Sequence, residues 1–456
     1  MSPATDPPRN VVLVSLESVR ADHCGYAGYD RDTTPNLDRM ARAGVGFQHA
    51  VTAGGSTPAS MTAVHTGEYP LTDPKDTDPG SWRAELRPKR TVASALSGAG
   101  YRTGAFVPNA FVSSYFGFGE GFDDYRDFLP EEARVRMAGS KTGTDTSLGA
   151  QVRTLAGNAR QVFEGQTPFH KRKCWEEYYD DVLEWVERDD DRPFFLWVFP
   201  EETHTPYIPP AARRDLPTTA SYLLRNASFL KKLWVDQRSS FSLTDRQRDR
   251  LIAQYDDLLR YVDGLLGRLL DDLAEYDPVF VVHGDHGDGF GEHGFYEHPQ
   301  SLYEELIHVP LVVHDPADRE GPASRNGTDV PPDSETGEST PVSLRSLPAT
   351  IETVAGVERT FEGPSVFEAE DPYVVAKVTE GDHRKVAARG TRWKYLSQER
   401  TEGELYDLRS DPTEQVDRSG EYPELTAELD RIVGRHRNAD RERLLVRSHL
   451  DDLEGV

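Results

Sequence analysis

"NVVLVSLESVRADH", residues 10–23, holds a nearly unbroken β-branched run from Val11 to Leu16 and then turns polar. A run this short and this apolar suits a strand buried on both faces of a parallel sheet. "TPNLDRMARAGVGF", residues 34–47, follows with apolar residues at helical spacing and a glycine stop. The order strand, loop, helix returns in "TVASALSGAGYRTGAFV" (91–107), in "DDVLEWVERDDDRPFFLWVFP" (180–200) and in the strand of "PVFVVHGDHG" (278–287). Before that last strand, a Thr244-x-x-Gln247 capping box opens a helix with Leu251, Ile252, Tyr255, Leu258, Leu259, Val262, Leu266 and Leu269 along one side. Repeated βα units predict an α/β fold: a large, mostly parallel sheet flanked by helices, with ligands beyond the carboxyl ends of its strands.

Two stretches break the pattern. Residues 130–180 are polar and helix-leaning and read as an insertion, and 315–340 lacks apolar periodicity and reads as a mobile loop. Residues 1–370 form the expected catalytic domain. From 371 to 456, "DPYVVAKV", "KVAARGTRWKYLS" and "GELYDL" predict a small antiparallel sheet, and "YPELTAELDRIVGRHR" predicts a terminal helix.

The chain has 456 residues, 78 acidic against 52 basic, and a formal net charge of -26. Such a charge repels nucleic acid and anionic lipid, so neither is an expected partner. Acidity spread over every segment points to a solvated surface adapted to concentrated salt. No stretch resembles a signal peptide or a membrane span, and the expected location is cytoplasmic. The two cysteines, Cys24 and Cys174, lack the spacing of a disulfide framework or a zinc site.

The strand ends carry the chemistry. Glu17 lies just past the first strand, and Asp285 and His286 just past the late one, in the glycine-rich "VVHGDHGDGFGEHG" (281–294). Two carboxylates and an imidazole make a mixed oxygen and nitrogen site for one divalent ion: Ca²⁺, Mg²⁺ or Mn²⁺, with Zn²⁺ also compatible. In "GGSTPASMTAVHTGEYP" (54–70), Ser56 stands where a helix begins near Ala59. By itself that serine is better explained as an N-cap than by nucleophilic chemistry.

Taken together, the 10–52 stretch, "STPASMTAVHTGEYP", "PFFLWVFPEETHTPYIPP", "VVHGDHGDGFGEHGFYEHPQSLYEELIHVPLVV" and the terminal "RWKYL…ELYDLRSDPTEQ" resemble the sulfatase family of the alkaline phosphatase superfamily, in a haloarchaeal-type form. The resemblance implies a metal-dependent ester hydrolase acting on small-molecule or glycan sulfate, phosphate or phosphonate esters. It places metal ligands at Glu17, Asp285 and His286, with Ser56 as nucleophile and further ligand. The family's formylglycine is made in a Cys/Ser-x-Pro-x-Arg context; Pro58 is in place, but Ser60 stands at the arginine, which favours an unmodified serine. His204 falls at the position of a proton donor to the leaving oxygen. Asn109 falls where the family grips the substrate oxyanion, and His298 offers a second donor. A phosphodiesterase or phosphonate monoester hydrolase is the alternative activity, and a non-catalytic glycan-binding protein the third reading. His23, His65 and His293 are expected to be structural.

Overall fold

A computed structural model describes residues 8–70, 86, 89–129, 173–205, 207, 243–316, 340–380, 383–398 and 403–454. Most of the expected insertion at 130–180 and of the loop at 315–340 lies outside the described residues. The last part of the first stretch is described, and it is core: Trp175, Tyr178 and Tyr179 are buried against the main sheet's helices.

The strands are β1 (Val11–Leu16), β2 (Val45–Gly46), β3 (Ala50–Val51), β4 (Arg102–Phe106), β5 (Asp124–Arg126), β6 (Phe194–Val198), β7 (Val279–Gly284), β8 (Gly289–Phe290), β9 (Tyr296–Glu297), β10 (Leu311–His314) and β11 (Val342–Ser343). Seven of them form one sheet in the order β2-β10-β7-β1-β6-β4-β5. β1, β4, β5, β6 and β7 run parallel, and β10 is antiparallel to both its neighbours.

Helices cover both faces. They are α1 (Pro35–Ala43), α2 (Thr57–Thr66), α3 (Val92–Gly98), α4 (Tyr179–Val186), α5 (Asp245–Asp272), α6 (Glu304–Ile307) and α7 (Leu347–Ala355). Because side chains alternate along a strand, Val12, Val14 and Leu16 of β1 pack with α1, α4 and α5, while Val11 and Leu13 pack with α2, α3 and α7. That double burial is why β1 reads as a nearly uninterrupted apolar run. The predicted capping box is formed, with Gln247 Oε1 accepting from the Thr244 backbone N–H at 3.1 Å.

The C-terminal part is an antiparallel sheet of β12 (Val374–Glu380), β13 (His383–Arg389), β14 (Trp393–Gln398) and β15 (Glu404–Asp407), followed by α8 (Pro423–Glu454). It is tied to the main body beside α2: Lys377 N donates to the Ala53 carbonyl at 2.8 Å, and Val51, Leu306 and Ile307 share a cluster with Ala376 and Val378. The buried Lys394 ammonium also bridges Glu304 of α6, at 3.1 Å, and Glu414, at 2.8 Å.

Candidate active site

β1 and β7 are neighbours in parallel register, with Ser15 opposite His283 and Leu16 opposite Gly284. The next residues, Glu17 and Asp285, therefore leave the sheet side by side. β6 and β4 lie on the other side of β1, so the loops bearing His204 and Asn109 open at the same edge. Four adjacent strands thus deliver the polar groups to one place, as the βα pattern predicts.

Glu17, Asp285 and His286 are fully buried, and one ligand atom from each lies within 4.8 Å of the others. His286 Nε2 is 3.7 Å from Glu17 Oε1 and 3.5 Å from Asp285 Oδ2. Asp285 Oδ1 accepts from the backbone N–H of Ser18, at 2.8 Å, and of His286, at 2.7 Å. Ser18 has φ +53°, a left-handed turn that aims its N–H at Asp285. Burial pushes the Glu17 carboxyl well above its ordinary range, and Asp285, Glu201 and Asp288 push the same way. Burial also raises Asp285, although His286 opposes it.

Asp285 Oδ2 is buried without a hydrogen-bond partner among the described residues. Such an orphan acceptor is costly, and beside a second buried carboxylate and an imidazole it is what a divalent cation would satisfy. The donor set fits a divalent ion and does not select among Ca²⁺, Mg²⁺, Mn²⁺ and Zn²⁺.

The hydroxyl that the structure brings to this cluster belongs to Thr57. Its Oγ1 is 3.1 Å from Glu17 Oε1 and 3.1 Å from His286 Nε2. Ser56 is the N-cap residue of α2, with extended backbone (φ −148°, ψ 150°), and its carbonyl accepts from Ser60 N at 2.9 Å. Its own Oγ is buried, makes no cap and has no partner among the described residues. The helix starts at Thr57, two residues before the expected position, which turns the threonine's side chain into the site. Gly54 and Gly55 are not in the left-handed region. They are small because neighbouring backbone is close: a Cβ would sit 2.8 Å from the Lys377 carbonyl oxygen at Gly54 and 2.6 Å from that of Ser301 at Gly55.

Asn109 Nδ2 donates to Glu17 Oε2 at 2.7 Å, and Asn109 Oδ1 accepts from Phe111 N at 2.8 Å. Here the amide holds the carboxylate. His298 and His204 line up beyond His286, with ring centroids 4.5 Å apart for His286 and His298 and 5.1 Å for His298 and His204. His204 Nδ1 donates to the Thr205 carbonyl at 2.6 Å.

Sequence reasoning did not single out Thr57, Asp288 or Tyr207. Asp288 stands two residues past His286 in Asp-His-Gly-Asp, a spacing that offers a second carboxylate to the same loop. His65 is buried among Trp197, Phe118 and Phe122, and burial lowers it to about 3, so it is a neutral core group as expected. His23 donates to Asp256 and His293 to Glu305, both away from the cluster.

The sulfatase family profile matches residues 9–357. The chain belongs to the sulfatase family. An arylsulfatase of Clostridium perfringens is 24% identical over 346 residues, 67% of this chain and 68% of that one. A phosphonate monoester hydrolase from Silicibacter pomeroyi superposes with a TM-score of 0.66 at 17% identity, covering 95% of this chain and 96% of that one. A 2-O GAG sulfatase superposes with a TM-score of 0.64 at 18% identity, covering 96% and 94%. These neighbours share the architecture, and this member is a sulfatase-family hydrolase. Among the described residues no helix is long and apolar enough to cross a membrane.

Proposed function

We propose that this sulfatase-family hydrolase cleaves a sulfate, phosphate or phosphonate ester of a small molecule or glycan, with one divalent ion held by Glu17, Asp285 and His286. The observation that carries this reading is the buried Glu17–Asp285–His286 cluster at the head of α2, with a hydroxyl in contact with it. When bound, the ion supplies charge that lowers the cost of hydroxyl ionisation and of the negative charge on the ester.

The chain's own groups do the rest. A hydroxyl at the head of α2 provides the attacking oxygen at the positive end of a helix, which favours an oxyanion there. Asn109 holds Glu17 and so fixes the carboxylate beside that oxygen. His204 and His298 each engage Nδ1 elsewhere, which leaves Nε2 of the imidazolium form to give a proton to the departing oxygen.

The test is hydrolysis of matched nitrophenyl sulfate, phosphate and phenylphosphonate esters by protein supplied with Mn²⁺, Mg²⁺ or Ca²⁺. Turnover that Asp285→Ala removes supports the reading. Absence of turnover of every ester with every ion would refute it.

A further inference from the structure

We propose that Thr57, not Ser56, is the attacking hydroxyl, and that its substrate is a phosphorus ester with a single negative charge, a phosphodiester or phosphonate monoester, in preference to a sulfate. This rests on the ester-hydrolase reading above and narrows it.

The geometry separates two adjacent hydroxyls. Thr57 Oγ1 lies 3.1 Å from one oxygen of Glu17 and 3.1 Å from His286 Nε2, inside the cluster suited to the ion. The orphan Asp285 Oδ2 belongs to the same buried cluster. Ser56 touches none of these groups through its side chain, and its backbone is committed to starting the helix. Pro58, which ties Ser56 to the modification context in the sequence, is already explained as the second residue of a helix, where a missing N–H costs nothing. Counting from Thr57 instead puts Ala59 and Met61 at the proline and arginine positions, so Thr57 is not in that context either.

The residue type then restricts the chemistry. Threonine is a secondary alcohol, and its oxidation would give a ketone, never the aldehyde of formylglycine. Thr57 therefore attacks as a simple hydroxyl. The Oγ1–P bond forms and the P–O bond to the leaving group breaks; the hydroxyl proton passes to solvent, and the leaving oxygen takes up one proton. Water then attacks phosphorus, the Oγ1–P bond breaks, and Thr57 recovers a proton; one water is consumed and an alcohol is released. An aldehyde hydrate can expel sulfate by breaking its own C–O bond, because a second oxygen on the same carbon collapses to the carbonyl. Thr57 has no such second oxygen, so its adduct must be released by attack on the central atom, a path ordinary for phosphorus.

Charge narrows the ester further. The two carboxylates of Glu17 and Asp285 neutralise a divalent ion, and among the described residues neither lysine nor arginine hydrogen-bonds to the Glu17, Asp285 or His286 side chains. With Asp288 and Glu201 adding negative charge beside it, such a site holds a monoanion better than the dianion of a phosphate monoester.

The experiment combines three readouts on the full chain. Acid-quenched reactions with bis(nitrophenyl) phosphate, the nitrophenyl ester of phenylphosphonate, nitrophenyl phosphate and nitrophenyl sulfate are digested and the covalent adduct mapped by mass spectrometry. Thr57→Val and Ser56→Ala are compared with wild type in turnover and in calorimetric Mn²⁺ affinity, and Thr57→Ser tests rescue. The expected results are a phosphorus adduct on Thr57, Mn²⁺ affinity weakened roughly tenfold by Thr57→Val and unchanged by Ser56→Ala, retained turnover in Thr57→Ser and Ser56→Ala, and faster turnover of the two phosphorus monoanions than of the other esters. An adduct on Ser56, or turnover lost in Ser56→Ala and kept in Thr57→Val, overturns the assignment while leaving the hydrolase reading intact. Faster turnover of the sulfate or the phosphate monoester overturns the substrate class. No turnover of any ester by wild type overturns both the inference and the function beneath it.

Discussion

His298 donates through Nδ1 to Asp288 Oδ1 at 2.7 Å, and the other oxygen of that carboxylate accepts the Tyr207 hydroxyl at 2.6 Å. Asp288 is fully buried, so it holds His298 in one ring orientation and one tautomer, with Nε2 turned away from the carboxylate. In the role proposed for it, His298 gives a proton from Nε2 of its imidazolium form, which matters most when the leaving oxygen is strongly basic. Asp288→Asn should therefore cut turnover of alkyl esters roughly 100-fold and change that of nitrophenyl esters far less. Rate constants across leaving groups of graded acidity measure this. A uniform loss across the series would make Asp288 a structural support only.

Glu17 makes the ion-free protein pay for its site. Burial, then Asp285, Glu201 and Asp288, hold its carboxyl above the ordinary 4.5. A carboxyl raised in the folded state contributes stability that is present below its unfolded value and lost as pH rises through the folded one. In chelator-treated protein at neutral pH, Glu17→Gln should thus melt at a higher temperature than wild type, and the difference should vanish as pH falls towards about 4. The same substitution should weaken Mn²⁺ binding roughly tenfold or more. Paired melting curves over pH, with and without Mn²⁺, check both signs. An ion-free variant less stable than wild type at neutral pH would contradict the strain assigned to this carboxylate.

The sheet was legible because its strands are buried on both faces and so read as apolar runs; Val11–Leu16 and Val279–Gly284 could hardly be anything else. Glu17, Asp285 and His286 were legible because residues that end neighbouring parallel strands must emerge together. Which hydroxyl, that of Ser56 or that of Thr57, meets the cluster was not legible. A helix start can shift by a residue at little cost in local energy, and each shift turns a different side chain inward. The start was set by contacts remote in sequence, the carbonyls of Ser301 and Lys377 pressing on Gly55 and Gly54. The pairing of Asp288 with His298 was hidden for a related reason. Ten residues of loop separate the two, and the short β8–β9 pair that folds the loop back has no periodicity to announce it.

A net charge of -26 predicts a salt response. Self-repulsion of the folded chain falls as ionic strength rises, since the screening length drops from about 30 Å at 0.01 M to about 3 Å at 1 M. The melting temperature should climb through that range by several degrees, and KCl and NaCl should act alike because the effect is screening. A series of melts from low to molar salt tests this. A flat or falling trend would show that the acidic surface carries no such adaptation.

The last prediction concerns the Gly54–Gly55 step that sets the head of α2. A methyl at residue 55 would meet the Ser301 carbonyl oxygen at 2.6 Å, closer than real side chains approach backbone, so either the loop before α6 or the start of α2 must move. Neither can move freely: Leu306 of α6 is buried, and all ten residues of α2 are buried. Gly55→Ala should therefore shift Thr57 relative to Glu17 and His286. A displacement on the order of 1 Å costs roughly 100-fold in rate, while the overpacking itself costs about 1–3 kcal/mol of stability. Gly98→Ala is the control, because a Cβ there has nothing within 4 Å and the residue ends helix α3 without a left-handed backbone. That change should leave activity intact and, if anything, stabilise the protein by up to about 1 kcal/mol. Rates and unfolding midpoints of the two variants separate displacement of the Thr57 hydroxyl from a general response to added bulk. Equal activity in both would mean that the head of α2 is not held by the close approach at Gly55.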